Sequence, residues 1–110
     1  MKQMKKLMFF VMAAALSTGA YAYKDGTYTG VGNGNASQIE VKVTVANGKV
    51  SKVDVVKQGE TPMIFAAVEG ALPEAVVAAN GTKGVEAITG ASNSSKGFLE
   101  AVNKALEQAQ

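Results

Sequence analysis

The chain has 110 residues, of which 47% are hydrophobic, and a formal net charge of +2 at pH 7. It contains no cysteine and no histidine, which excludes disulfide bonds, thiol nucleophiles, histidine acid–base chemistry and the usual zinc sites. This length accommodates one small domain.

Residues 1–22 have the organisation of a secretory signal peptide. Three lysines precede an apolar run at residues 7–16, and Ala-Tyr-Ala at 20–22 is a small-x-small cleavage site. The run is about half as long as a membrane-spanning helix, so an uncleaved tether is the less favoured alternative. We expect cleavage after Ala22 and a periplasmic or otherwise extracytoplasmic protein.

The remaining chain, residues 23–110, has a nearly balanced charge. Eight lysines are opposed by nine acidic residues once the three lysines of the leader are removed. No basic patch for nucleic acid follows from that balance. We expect a monomer that binds neither nucleic acid nor a metal ion.

Two strands are predicted in the first half of this domain. Residues 27–31, Thr-Tyr-Thr-Gly-Val, combine β-branched and aromatic side chains, and Gly30 suggests a bulge. Residues 39–45 place β-branched residues at odd positions and mostly polar ones at even positions. That alternation predicts a strand with one buried face.

A hairpin is expected after the second strand, because Val53 and Val55 continue the odd-numbered apolar pattern beyond an Asn-Gly pair. A three-residue loop at 46–48 would keep the buried faces in phase and set Val41 opposite Val53. We therefore expect Gly48 in a left-handed conformation beside a bulge.

Two short helices are predicted next. Thr61 followed by proline favours a helix start, and the first helix is expected to stop at Gly70. Pro73 would open the second, which ends at Asn80-Gly81. Residues 63–65, Met-Ile-Phe, are interpreted as core residues, with contact to a bound ring as the alternative.

The last part of the chain predicts a short strand at 85–88 and a final helix. Apolar residues from Phe98 to Ala109 recur at three- and four-residue steps, which is typical of an amphipathic helix. The predicted fold is α+β, a small antiparallel sheet of about three strands plus a short fourth packed against three helices.

Hydroxyl and amide side chains are concentrated between that short strand and the final helix. The first N–H groups of a helix lack internal partners and carry partial positive charge, so they bind anions, above all phosphate. The alternative is that these residues only cap the helix. The candidate site residues are Thr89, Gly90, Ala91, Ser92, Asn93, Ser94 and Ser95.

The segment 86–94, Glu-Ala-Ile-Thr-Gly-Ala-Ser-Asn-Ser, resembles the motif of the FMN-binding domain family. That motif is an acid, two residues, then Ser/Thr-Gly-Ala-Thr-x-Thr/Ser. Family members include the C subunit of sodium-pumping NADH:quinone reductase, the RNF complex G subunit, and domains of periplasmic fumarate and urocanate reductases. Residues 25–30, Asp-Gly-Thr-Tyr-Thr-Gly, are similar to the beginning of many members.

The resemblance implies that FMN is the cofactor and that a flavin transferase joins its phosphate to the Ser94 hydroxyl as a phosphoester. Serine replaces the commoner threonine at positions 92 and 94, which keeps the hydroxyls, and Glu86 stands where the family prefers aspartate. The segment 60–62 is similar to a Glu-Thr-Pro segment of the family, which implies that Glu60 and Thr61 contact the flavin.

The implied function is electron transfer by an FMN carrier rather than catalysis by a stand-alone enzyme. The chain itself supplies little acid–base chemistry, and a flavin would carry out the redox step for a reductase or a membrane electron-transport complex. Two alternatives stay open: a sensor or scavenger that binds FMN without a covalent bond, and a flavin-free secreted interaction module.

Overall fold

Three antiparallel strands and two helices make up the domain. The computed structural model describes residues 22–110, so the predicted leader, residues 1–22, lies outside the described residues except for Ala22. The elements follow in the order β1 (Gly26–Asn33), β2 (Gln38–Ala46), β3 (Lys49–Lys57), α1 (Pro62–Ala79) and α2 (Ser92–Glu107). The sheet order is β1-β2-β3, and the predicted α+β class is confirmed.

The central strand, β2, supplies the middle of the core as its alternating pattern predicts. Its odd-numbered residues, Ile39, Val41, Val43 and Val45, are at most 3% exposed, whereas its even-numbered residues are exposed or half-buried. Both helices pack on this one apolar face of the sheet, where they contribute Phe65 and Phe98. A three-stranded sheet with one covered face is enough for a small independent core.

The β2–β3 hairpin differs from the prediction in its loop and register. Ala46 pairs with Lys49, so the turn contains only two residues, both with positive φ: 56° at Asn47 and 78° at Gly48. The left-handed Gly48 is confirmed, and the three-residue loop is wrong. The extra residue is Ser51, because Val45 pairs with Val50 and Thr44 with Lys52.

That bulge lies inside β3 rather than in the loop, and it returns the valines to the buried face. Val53 therefore pairs with Val43, two residues from the predicted partner Val41. The bulge suggested at Gly30 is also wrong, because the β1–β2 register runs without a shift.

One helix, α1, replaces the two helices predicted between residues 61 and 81. It begins after Thr61, as expected, and continues through Gly70 and Pro73. A proline inside a helix removes one N–H and leaves the carbonyl four residues earlier unpaired. Here that carbonyl belongs to Glu69 on the exposed side, where water can pair with it. Frequent alanine favours the continuous helix.

The end of α1 is the one predicted. Asn80 is left-handed, with φ 56°, and its N–H donates to the carbonyls of Val76 and Val77. α1 is long and apolar enough to cross a membrane, and the core helices of soluble proteins can have the same length and composition. Four of its 18 residues, Phe65, Val68, Leu72 and Val76, are buried in the core, and the rest of the helix is exposed or half-buried.

The final helix, α2, buries the face that its sequence predicts. Phe98, Ala101, Val102 and Ala105 are all 0% exposed. Residues 85–88 form no strand within the described part of the chain, so the predicted fourth strand is wrong. The two-helix, three-stranded domain is thus simpler than the sequence pattern suggests.

Glycines bring α2 directly onto β1. A Cβ at Gly30 would overlap the carbonyl oxygen of Ala101, and a Cβ at Gly32 would overlap that of Gly97. A Cβ at Gly97 would lie 2.6 Å from the Cα of Gly34. Backbone therefore packs against backbone, and this contact fixes the N-terminal end of α2 beside the end of β1.

The two ends of the described chain also meet. The Tyr23 N–H donates to the Gly48 carbonyl at 3.1 Å, and the Lys24 N–H donates to the Ala109 carbonyl at 2.6 Å. The Tyr23 hydroxyl donates to the Asn80 carbonyl at 3.1 Å. The segment at Tyr23 and Lys24 is thus bound both to the turn of the β2–β3 hairpin and to the residues that follow α2.

We expect Gly30→Ala to lower the free energy of unfolding by about 2 kcal/mol or more, because the added methyl overlaps the backbone of α2. Gly70→Ala is the matched control. Its methyl would meet no atom within 4 Å, and the helical position should gain about 1 kcal/mol. Urea unfolding measures both, and equal effects would contradict the close packing of α2 on β1.

Candidate functional site

The N-terminus of α2 offers unpaired backbone donors. The N-cap residue is Ala91, which makes no side-chain cap hydrogen bond, and the first helical bond runs from the Ser95 N–H to the Ala91 carbonyl at 2.8 Å. Among residues 22–110, the N–H groups of Ser92, Asn93 and Ser94 donate to no protein acceptor. The interpretation of this segment as side-chain caps alone is therefore not supported.

A tight turn leads into the helix. The Ala91 N–H donates to the Ile88 carbonyl at 2.9 Å, and Gly90 has φ 87°, a backbone conformation that strongly favours glycine. A Cβ at Gly90 would meet no protein atom within 4 Å, so the space above it is open to a ligand. The Ser95 hydroxyl faces inward and accepts the Ile88 N–H at 3.0 Å.

An open cavity of about 280 Å³ lies at this helix N-terminus. Five of the seven candidate motif residues line it, together with Thr61. Thr89 is exposed outside it, and Ser95 is fully buried behind it. The lining residues are Asn35, Thr61, Ile64, Gly90, Ala91, Ser92, Asn93 and Ser94.

The walls of the cavity come from three separate parts of the chain. The loop after β1 contributes Asn35, whose side-chain oxygen accepts a hydrogen bond from the Asn93 amide at 3.0 Å. The first turn of α1 contributes Ile64, which is 37% exposed, and the neighbouring Met63 is 87% exposed. The cavity thus has polar donors on one side and exposed apolar groups on the other.

Glu60 lies behind Ser94 and is not among the residues that line the cavity. It is only 5% exposed. The Ser94 hydroxyl donates to its Oε1 at 2.6 Å, and the Asn35 N–H donates to the same oxygen at 2.8 Å. The Ala36 N–H donates to Oε2 at 3.0 Å and the Ser37 hydroxyl at 2.7 Å. The contact of Glu60 with flavin stays a prediction, and its observed partner is Ser94.

These four donors decide the charge of the buried carboxyl group. Burial by itself would raise the pKa of Glu60, but the hydrogen bonds from Ser94, Ser37, Asn35 and Ala36 outweigh it and lower the pKa to about 2. Glu60 takes part in neither of the two ion pairs among the described residues. It is therefore a buried anion held by hydrogen bonds alone.

Sequence reasoning did not single out the loop at 35–37. Its residues contact a carboxylate 23 to 25 positions later, and no local pattern encodes such a pairing. The resemblance singles out Glu60 and Ser94, but not the three residues of this loop. Within residues 22–110, no group of His, Cys, Asp and Glu could hold a metal ion.

The site suits a ligand with an anionic end and an apolar end. The three helical N–H groups that find no acceptor among residues 22–110 suit a phosphate, and Gly90 and Ala91 leave its approach open. The exposed side chain of Ile64 suits an aromatic ring system. A domain of this kind is a binder of a phosphorylated, ring-bearing cofactor.

The chain belongs to the FMN-binding domain family, whose pattern it matches over residues 34–107, more than half of its length. FMN is therefore its cofactor, and the protein is a flavoprotein. The matched range begins at the loop after β1 and includes the whole cavity lining.

One relative is an uncharacterized protein of Treponema pallidum (strain Nichols). It is 33% identical over 88 residues, which cover 79% of this chain and 24% of the relative. The chain thus spans about a quarter of the length of this curated relative.

Glu60 should make stability fall in acid. Because its folded pKa of about 2 lies below the ordinary value of 4.5, its contribution is complete above about pH 4.5 and is lost as the pH falls through 2. The shift corresponds to about 3 kcal/mol. Urea unfolding at pH 2 to 6 should show a shallower acid loss for Glu60→Gln, and identical slopes would contradict the buried anion.

Proposed function

We propose that this flavoprotein carries FMN through a phosphoester to Ser94 and transfers electrons, outside the cytoplasm, for a respiratory or reductase partner. The observation that carries the proposal is the position of the Ser94 hydroxyl. It lies beside three unpaired N–H groups at the N-terminus of α2 and at the inner end of an open cavity. Bound FMN supplies reversible electron chemistry that the side chains lack.

Residues on both sides of the cavity would hold the cofactor. The N–H groups of Ser92, Asn93 and Ser94 would donate to the phosphate, where the helix dipole also favours negative charge. Thr61 offers a hydroxyl on the opposite wall, and Ile64 offers an apolar surface beside it. The isoalloxazine ring would lie against that surface.

Attachment requires a flavin transferase and FAD as the source of FMN. The Ser94 oxygen forms a bond to the phosphorus of the FMN half while the pyrophosphate bond of FAD breaks. AMP leaves, and the proton released from Ser94 balances the negative charge that AMP gains. The protein gains one FMN less one water. Ser94 is 2% exposed, so the phosphorus must reach it through the cavity.

A carrier role fits the chemistry and the size of the cavity. None of its lining side chains titrates near neutral pH, so the chain offers no general acid or base there. Its volume of about 280 Å³ lies at the lower end of pockets that enclose a whole ligand, roughly 300–1,000 Å³. Part of the flavin would stay outside, where a redox partner can approach it.

Binding of FMN without a covalent bond is the second candidate function. The observation in its favour is Glu86, an exposed residue at the position where the family prefers aspartate and where a transferase would recognise the motif. A sensor or scavenger would need the same cavity and the same phosphate donors. The two candidates differ only in whether the flavin stays bound after unfolding.

The intact mass of the protein purified from its own host should exceed the sequence mass by one FMN less one water. Ser94→Ala should remove the adduct completely, whereas Ser92→Ala and Ser95→Ala should keep it. Flavin that dialyses away in denaturant would instead support the non-covalent candidate. An adduct that survives in Ser94→Ala would show that the acceptor is another residue.

Export should leave a mature chain that begins at Tyr23. Cell fractionation followed by N-terminal sequencing measures both the compartment and the cleavage site. Ala22→Arg should block processing, because the peptidase needs a small residue before the cut. A cytoplasmic protein with an intact leader would contradict the extracytoplasmic proposal and leave the flavin assignment unchanged.

A further inference from the structure

We propose that Glu60 is a positioning residue for flavin attachment, and that it holds the Ser94 oxygen with its lone pairs directed at the incoming phosphorus. The inference rests on the proposed phosphoester. Its starting point is the 2.6 Å hydrogen bond from the Ser94 hydroxyl to Glu60 Oε1. Glu60 is a buried carboxylate that does not itself line the cavity.

The hydrogen bond orients the hydroxyl because a serine has a single proton. Once that proton points at the carboxylate, the two lone pairs of Oγ point away from it. Ser94 lines the cavity and Glu60 does not, so the lone pairs are directed toward the cavity side. The acceptor atom is thereby presented in an orientation suited to attack.

The carboxylate is itself held in place from its other side. The Ser37 hydroxyl accepts the Gly59 N–H at 2.8 Å, so its own proton is committed to Glu60 Oε2. The N–H groups of Asn35 and Ala36 complete the set. Rotation of Glu60 away from Ser94 would therefore break its hydrogen bonds with the backbone N–H groups of Asn35 and Ala36.

This arrangement favours orientation over early proton removal. A carboxylate with four donors is a weak base, and an efficient general base has a pKa near the working pH. The Ser94 proton therefore stays on Oγ until the oxygen–phosphorus bond forms. The proton would then be released as the pyrophosphate bond of FAD breaks, and it would balance the negative charge that the departing AMP gains.

Replacement of Glu60 by glutamine should disturb this orientation. In glutamine an NH₂ group replaces one of the two carboxylate oxygens. This donor then faces another donor, the Asn35 N–H in one orientation of the amide and the Ala36 N–H in the other. If that group faces Ser94, the hydroxyl must turn its lone pairs inward to accept. The chain offers a matched control, Glu100→Gln, whose carboxylate also accepts a backbone N–H, that of Asn33, at 2.8 Å.

The experiment measures adduct formation by intact mass, with the full-length protein from a host without transferase, purified transferase and FAD. Folding of each variant is checked by circular dichroism. For Glu60→Gln we expect kcat to fall about tenfold or more, with KM for the acceptor protein within about twofold. Glu100→Gln should stay within about twofold of the wild type in both constants.

A kcat for Glu60→Gln equal to that of the wild type would overturn the inference. So would an equal loss in Glu100→Gln, because the effect would then not be specific to the carboxylate that accepts the Ser94 hydroxyl. Absence of an adduct in the wild type would instead overturn the proposed phosphoester itself. The two failures are therefore distinguishable.

A second measurement keeps the inference testable if Glu60→Gln does not fold. The Glu60 carboxyl carbon is followed by NMR as the pH is lowered, in the wild type and in Ser94→Ala, both free of flavin. Loss of the serine donor should raise the pKa of Glu60. An unchanged pKa in Ser94→Ala would overturn the inference, because no hydrogen bond would then orient the hydroxyl.

Discussion

The contact between α2 and β1, in which backbone touches backbone, determines where the site can be. Gly30 and Gly32 face the carbonyl oxygens of Ala101 and Gly97, with no side chains between the helix and the strand. Side chains can change rotamer, whereas peptide groups packed together cannot. The start of α2 is therefore held at a fixed height above the sheet, next to the loop that follows β1.

The buried carboxylate of Glu60 completes what the helix begins. A charge taken out of water is expensive unless hydrogen bonds replace its hydration, and here four donors do so. The same bonds join the loop at 35–37, the start of α1 and the start of α2. Glu60 does not line the cavity, and its negative charge is paired by these four donors.

Local patterns predicted those features that depend on local physics. Alternation in β2, the left-handed Gly48 and the Asn80 end of α1 were all predicted, because each depends on neighbouring residues. Pro73 led to the incorrect prediction that a new helix starts there. A helix tolerates an internal proline where the carbonyl left unpaired can bind water. The motif led to residues that line the cavity at the start of α2. The pairing of Glu60 with Asn35, Ala36 and Ser37 required the fold, since these residues lie more than twenty positions earlier in the chain.

The two ends of the described chain lie side by side, which affects how such a domain can be combined with other domains. The Lys24 N–H donates to the Ala109 carbonyl, so a polypeptide would enter and leave the domain at nearly one point. Units with adjacent termini can be inserted into larger proteins with little disturbance of the host. An insertion at this point would leave the interior of the domain unaltered.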